Sequence, residues 1–273
     1  MGSISTVAKI TVKELLFRIE QYAILGVGLL IILPTGILYL NDSLAEQVLS
    51  MAAATSPDIV QLPRDTLVSS MFLLAELFIT VSALFTISML ISRDIQQKTL
   101  SLFLSKSMPR WHYFLGKYIG GTASLCITFS FYAVIIFFFV LVQSPSLLST
   151  IVISTLFVIL KLALLSALIM SSTERFLGWL GAMVAVLYYI FGHINIKILE
   201  WSIIYEGLWG DMLKVVYYIL PNLSEVSSWS LISAAVENYP IHINYTYWFA
   251  KQIGVYTIGF LFIGYLSFKR KSY

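Results

Sequence analysis

The sequence predicts an all-α membrane protein with six transmembrane helices, and three observations carry that prediction. Of 273 residues, 59% are hydrophobic and only 11% charged, whereas average soluble domains carry about 25% charged residues. Mean hydropathy is +0.87. A soluble fold of this size would leave roughly a quarter of its unfolded surface facing water, which excludes a soluble enzyme. The apolar residues also fall in six runs near the length of about 20 residues that crosses a hydrocarbon core of about 30 Å. None of the runs alternates as a barrel strand does, so helices are the expected spanning elements. The single cysteine, Cys126, excludes an internal disulfide framework and a cysteine-cluster metal site.

The elements follow in chain order. In the first 21 residues, Lys9, Lys13, Glu14, Arg18 and Glu20 interrupt any apolar run, so no cleavable signal peptide is expected. Val7, Ile10, Val12, Leu15, Leu16 and Ile19 share a broad face, as in an amphipathic helix lying in the membrane surface. The alternative is a plain cytoplasmic tail. The predicted spans are Tyr22–Leu40, Leu67–Ile91, Tyr113–Val142, Leu147–Met170, Leu177–Ile196 and Phe249–Phe268. The third is longer than a bilayer needs, which puts its first turn (Tyr113, Gly116, Lys117, Tyr118) in the interface. No repeat or linker divides the chain. It reads as one membrane domain over 1–273, with spans one to five in 22–196, a larger outer region at 197–248 and the last span at 249–268.

Basic residues set the orientation. Of 17 Lys and Arg residues, twelve fall on the side holding both termini and the loops after spans two and four. Four fall on the other side, and Lys161 lies within span four. Both termini are therefore expected in the cytoplasm. The connecting segments are too small for a soluble catalytic domain.

Few residues suggest chemistry. Gly116-Lys117 is followed by Tyr118, and Trp111 stands where a phosphate-binding loop needs its first glycine, so this chain is not expected to hydrolyse ATP. His112, His193 and His242 are scattered, and no metal or cofactor set is legible in their spacing. With a net charge of +3, no nucleic-acid partner is expected. Two ionisable residues lie inside spans: Glu76 about ten residues into span two and Lys161 about fourteen into span four, both near mid-bilayer at about 1.5 Å per residue. A charge there costs a few kcal/mol unless it is paired or faces water. Either they face the bundle interior, as an ion pair or as a polar lining of a substrate path, or Lys161 snorkels and Glu76 is protonated or hydrogen-bonded between helices. Gly120, Ser124 and Thr128, at four-residue spacing in span three, form a small-residue face for close helix contact, within the chain or between subunits.

The cytoplasmic loop after span two is the most informative stretch: "ISRDIQQKTLSLFLSKSMPRWHYFLGKYIGG", Ile91–Gly121. Leu100, Leu102, Phe103 and Leu104 among Arg93, Asp94, Lys98 and Lys106 suggest a short amphipathic helix at the membrane edge, offering a surface to a soluble partner. The alternative is a solvated loop with its basic face toward anionic lipid.

This segment resembles the permease subunits of ABC-2 type transporters, whose second span runs into a loop of the form R-E-I-E-x-G-T-…-L-L-S-K-P-V-S-R-…-G-K. Arg93, Asp94, Ile95, Thr99, Leu104, Ser105, Lys106, Arg110, Gly116 and Lys117 fall on matching positions. The second acidic position is Gln96 here, the glycine is Lys98, and Ser107 replaces the proline, with Pro109 two residues on. "LPNLSEVSSW", Leu220–Trp229, also looks like the outer segment of a subgroup of these permeases. The resemblance implies two permease subunits, as a homodimer or a pair of related chains, and two separate ATPase subunits that bind ATP and magnesium. It makes the loop after span two a coupling helix, with Arg93, Asp94, Lys98 and Arg110 as polar contacts to the ATPase and Leu102 and Phe103 as buried anchors. The short loop after span four, with Thr173, Glu174 and Arg175, supplies a second contact. Between spans five and six it implies short outer helices, Ile198–Trp209 and Met212–Leu220, that dip into the outer leaflet and cap the pathway. A surface helix, or a docking site for an extracytoplasmic accessory protein, is the alternative there. The expected location is the inner (cytoplasmic) cell membrane and the expected direction is export. Low charge and Tyr- and Phe-rich spans favour an amphiphile over a metal ion as cargo. The competing function is a carrier or channel that needs no ATPase, with Glu76 and Lys161 as its polar core. A membrane-embedded enzyme would want clustered carboxylates or histidines near one interface, and these are missing.

Overall fold

A computed structural model of the chain describes residues 4–44, 47, 50, 66–96, 108–175, 179–205, 207–223, 232 and 243–270. Among the described residues all regular elements are helical: α1 (Ile4–Leu16), α2 (Ile19–Leu40), α3 (Thr66–Ser88), α4 (Leu90–Gln96), α5 (Arg110–Gln143), α6 (Leu148–Arg175), α7 (Trp179–His193), α8 (Asn195–Ile204), α9 (Leu208–Ile219) and α10 (Ile243–Arg270). A single 3-10 turn, Pro145–Leu147, joins α5 to α6. Among the described residues five helices are long and apolar enough to cross a membrane, or six if α7 and α8 count as one span. This is the architecture of a multi-pass membrane protein.

α5 and α6 form the centre. α3 packs on both, α2 lies against α3 and α5, and α7 and α10 flank α6. α5 is one unbroken helix of 34 residues, about 51 Å at 1.5 Å per residue. That exceeds a hydrocarbon core by about 20 Å. The surplus at its Arg110 end is the platform for α1, which docks along it. Two glycines permit that approach. A Cβ on Gly116 would lie 2.6 Å from Val7 Cβ, and one on Gly120 would lie 2.6 Å from Thr11 Cβ and 2.7 Å from the Ala8 carbonyl oxygen.

At Gly120 the small-residue face of α5 receives this chain's own α1. Ser124 is buried, and the Thr128 hydroxyl turns back to the Ser124 carbonyl at 3.1 Å. The buried stripe of α1 is Val7, Thr11 and Leu15, one residue every turn. Ile10 and Ile19, expected on the apolar face, are exposed. The expected single helix over the first 21 residues also breaks, between Leu16 and Ile19. α2 uses a second glycine pair: Gly28 sits under the Tyr132 ring and Gly36 under the Phe139 ring of α5. The Tyr132 hydroxyl then donates to the Ile24 carbonyl at 3.1 Å.

The fifth span departs most from expectation. Instead of one helix over Leu177–Ile196, α7 has 15 residues, about 22 Å by helical rise, and the chain turns by 62° into α8. The cause is polar. Asn195 is buried and its Nδ2 donates to the carbonyls of Tyr217 at 3.3 Å and Leu220 at 3.2 Å, which capture the end of α9. The Leu223 amide donates to the Gly192 carbonyl at 3.0 Å, and the Tyr188 hydroxyl to the Ile219 carbonyl at 3.1 Å. These bonds fold α8 and α9 into a hairpin against the end of α7. The hairpin turns at Gly207, whose φ of 85° is easy only for glycine. Two helices are thus present in the stretch where two were expected, with limits shifted to Asn195–Ile204 and Leu208–Ile219, and Trp209 belongs to the second.

Gly120→Val should push α1 off α5 and cost about 1–3 kcal/mol by overpacking. The expected readouts are a lowered thermal midpoint in detergent and faster tryptic cleavage at Lys9 and Lys13. Gly254→Val, where a Cβ meets nothing within 4 Å, should change neither.

Candidate functional site

Glu76 and Lys161 meet. Lys161 Nζ lies 2.8 Å from Glu76 Oε1, and the two residues are 2% and 6% exposed respectively. Glu76 is the eleventh of 23 residues in α3 and Lys161 the fourteenth of 28 in α6, so both project from the middle of long apolar helices. In the structure the two charges form an ion pair, and Glu76 also lines a cavity and accepts a hydrogen bond from another helix. Pairing offsets the cost of burying each charge, a cost that either would bear in full alone.

α7 completes the cluster. The Tyr189 hydroxyl donates to the same Glu76 oxygen at 3.4 Å, and His193 Nε2 lies 4.0 Å from it. One turn of helix separates Tyr189 from His193, and His193 Nδ1 lies 3.1 Å from the Tyr189 carbonyl oxygen. The bend after His193 thus falls level with the ion pair, halfway along α3. A cavity of about 360 Å³ opens beside the pair, between α3 and α7, with Glu76, Tyr189 and His193 at its polar end. Sequence reasoning found the two charges but not Tyr189 or the role of His193. The available signal was a polar pair, His193 and Asn195, at the end of an apolar run.

A second polar network gathers at the end of the bundle that carries Arg93, Arg110 and the end of α10. Asp94 on α4 is 4% exposed and Lys117 on α5 is 3% exposed, and their charged atoms lie 2.7 Å apart. Tyr113, one turn before Lys117, donates its hydroxyl to Asp94. Lys117 also reaches Glu14 of α1 at 3.5 Å, and Glu14 pairs with Arg18. Three helices and the α1–α2 junction are thereby linked through alternating charges. Next to it, Arg93 reaches Glu20 at 3.1 Å, and Arg110 donates to the Lys269 carbonyl at 2.9 Å. A third node is Gln21 at the start of α2. Its Nε2 donates to Thr86 at 2.6 Å, and the hydroxyls of Ser82 and Thr128 lie 3.4 Å from its Oε1.

The residues expected to touch an ATPase distribute as follows. Asp94 is turned inward and holds α4 to α5. Arg93 and Arg110 remain at the surface of the bundle end, tied by the contacts above. Thr173, Glu174 and Arg175 are not in a loop. They form the last turn of α6, where the Thr173 hydroxyl donates to the Ile169 carbonyl at 2.8 Å and Glu174 is buried. Lys98, Leu102 and Phe103 lie outside the described residues, as does Leu220–Trp229 beyond Leu223. Among the described residues, no three His, Cys, Asp or Glu side chains are grouped to hold a metal ion.

Fold and site together define the class: a helical multi-pass membrane protein with a charged pair buried at mid-span. In comparisons with known proteins, the chain matches no protein-family model and no curated protein.

Glu76→Leu or Lys161→Leu alone should each cost about 3–5 kcal/mol, because the remaining charge is left uncompensated. The Glu76→Leu/Lys161→Leu double variant should recover most of that loss. A double-mutant cycle on thermal unfolding in lipid nanodiscs measures the coupling.

Proposed function

We propose that the chain is the transmembrane permease subunit of an ATP-binding cassette transporter of the ABC-2 type. It forms the substrate pathway and couples to separate ATPase subunits that bind ATP and magnesium, and it works in export. The observation that carries this reading is the segment Ile91–Gly121, whose Arg-Asp-Ile start, Leu-Ser-Lys centre and Gly-Lys end fall in the register of that family's coupling loop. Support also comes from how its ends are tethered. Asp94 just before the central part and Tyr113 and Lys117 just after it are hydrogen-bonded and ion-paired, so a force on the intervening residues would pass into α4 and α5, and from α4 into the adjoining α3. α3 carries Glu76, so motion of that end reaches the buried pair through one helix. Coupling then requires only that ATP favour one of two global states of the assembly.

In this reading two such permease chains, identical or related, pair in the inner cell membrane with both termini cytoplasmic. Hydrolysis belongs to the partner and not to this chain. Arg93, Lys98 and Arg110 contribute polar contacts, Leu102 and Phe103 the buried anchors, and the Thr173–Arg175 turn the second contact. α8 and α9 cap the pathway on the outer side.

A second reading has its own observation. The cluster of Glu76, Lys161, Tyr189 and His193 beside a cavity suits a carrier or channel that needs no ATPase. Purification from the native membrane in gentle detergent separates the two. The permease reading expects a stoichiometric nucleotide-binding subunit with vanadate-sensitive ATP hydrolysis. Phe103→Ala should then weaken its capture by more than about tenfold, as loss of an apolar anchor does. Arg93→Ala should weaken it only about two- to fivefold, because an exposed charge contributes little. A chain that purifies alone and without hydrolysis favours the carrier.

A further inference from the structure

The cavity beside the buried ion pair has a composition that names a ligand class. Its walls are Leu73, Leu77, Val81 and Leu84 of α3 with Val186 and Ile190 of α7, and its volume is about 360 Å³. That lies at the lower end of the about 300–1,000 Å³ range of small-molecule sites. Leu73, Leu77 and Ile190 are 45%, 53% and 46% exposed, so the mouth is on the outer flank of the bundle, between α3 and α7. The exposed residues at the mouth are apolar, as a lipid-facing flank is, and such a mouth would admit a ligand sideways from the bilayer.

The inner end is polar. Glu76 Oε1, the Tyr189 hydroxyl and the His193 ring meet there within 4.0 Å of the carboxylate oxygen, and Thr80 lines the same end. The charge count decides the head group. Glu76 and Lys161 already balance one another at 2.8 Å. A cationic or anionic head would bring an unanswered charge to mid-span, which the bilayer penalises as it penalises an isolated Lys or Glu. An uncharged head with one or two hydrogen-bonding groups meets donors and acceptors and adds no charge.

We propose that this cavity binds an uncharged single-chain amphiphile with a hydroxyl or amide head, taken up laterally from the bilayer, its chain along the α3 leucines and Val186 and Ile190 of α7 and its head at Tyr189, His193 and Thr80. The site does not rest on the ATPase-coupled reading, since a permease or a carrier can hold it. The ligand is either cargo or a bilayer component such as an acylglycerol. The two share the same chemistry and differ in whether the site empties during turnover.

The test uses the full chain in phosphatidylcholine nanodiscs with a diazirine-bearing dodecanol as photolabel, the adducts mapped by mass spectrometry. The expected result is saturable labelling within 73–84 and 186–193, displaced by dodecanol but not, at equal membrane content, by dodecane or dodecylamine. Leu77→Trp, which fills the mouth at an already exposed position, should abolish the saturable fraction while leaving the thermal midpoint unchanged. If that variant does not fold, Ile190→Trp on the facing wall serves instead. Tyr189→Phe should weaken displacement by dodecanol about three- to tenfold, the effect of one lost hydrogen bond. Labelling that does not saturate, or that spreads evenly over the exposed faces of α2 and α10, would overturn the proposal. So would dodecylamine competing as well as dodecanol, or a folded Leu77→Trp or Ile190→Trp that labels normally. Retention of bound dodecanol through turnover marks a bilayer component, and its release marks cargo; both outcomes uphold the site.

Discussion

Lys161 and Glu76 are buried in the middle of two long apolar helices, and much of the helix arrangement follows from that. Each charge alone would be driven out of the span or neutralised, Lys161 by losing a proton and Glu76 by gaining one; together, at 2.8 Å, they can stay charged. To meet, α3 and α6 must face one another at the same depth, which sets their relative rotation as well as their contact. α7 is then drawn in by Tyr189 and His193, and the chain leaves α7 level with the pair. A hydrophobic residue at either position would free these helices to turn about their axes, because apolar side chains are as well accommodated by lipid as by protein.

The same logic recurs at the basic end of the bundle on a larger scale. Asp94, Lys117, Glu14 and Arg18 form a run of alternating charges that holds α4, α5 and α1, with Tyr113 donating into it. Individual exposed ion pairs contribute little to stability. This run is different because Asp94 and Lys117 are almost fully buried and hydrogen-bonded as well as paired. It gives the segment between α4 and α5 two firm footings, which a coupling element would need if movement of a partner is to reach the spans.

Close backbone approach supplies the rest of the packing. Gly116 and Gly120 let α1 lie against α5, and Gly28 and Gly36 let α2 take the Tyr132 and Phe139 rings. Where no water drives apolar surfaces together, such contacts work through dispersion at short range. α8 and α9 are held differently, by Asn195 and by backbone carbonyls at the ends of α7 and α9. Their outer faces, with Ile203, Leu208, Trp209 and Tyr218 exposed, remain apolar, as suits a hairpin immersed beside the spans.

What the sequence alone determined is what depends on local composition. Runs of about 20 apolar residues measure a bilayer, and a backbone in hydrocarbon must bond to itself, so helices and their approximate limits could be read directly. Glu76 and Lys161 were visible because a charge in an apolar run is conspicuous, and Gly120, Ser124 and Thr128 because their spacing matches a helix turn. What only the tertiary structure decided is which faces meet. Helices that are apolar all round carry almost no moment to orient them, so nothing in the order of residues says that Gly120 receives Thr11 and Ala8 and not a second subunit. Nor does it say that Asp94 turns inward to Lys117, that Thr173–Arg175 continue a helix, or that Asn195 ends the fifth apolar run early by capturing the carbonyls of Tyr217 and Leu220. Those outcomes rest on small side chains and polar pairs finding one another across the chain, and they exist only once the helices are packed.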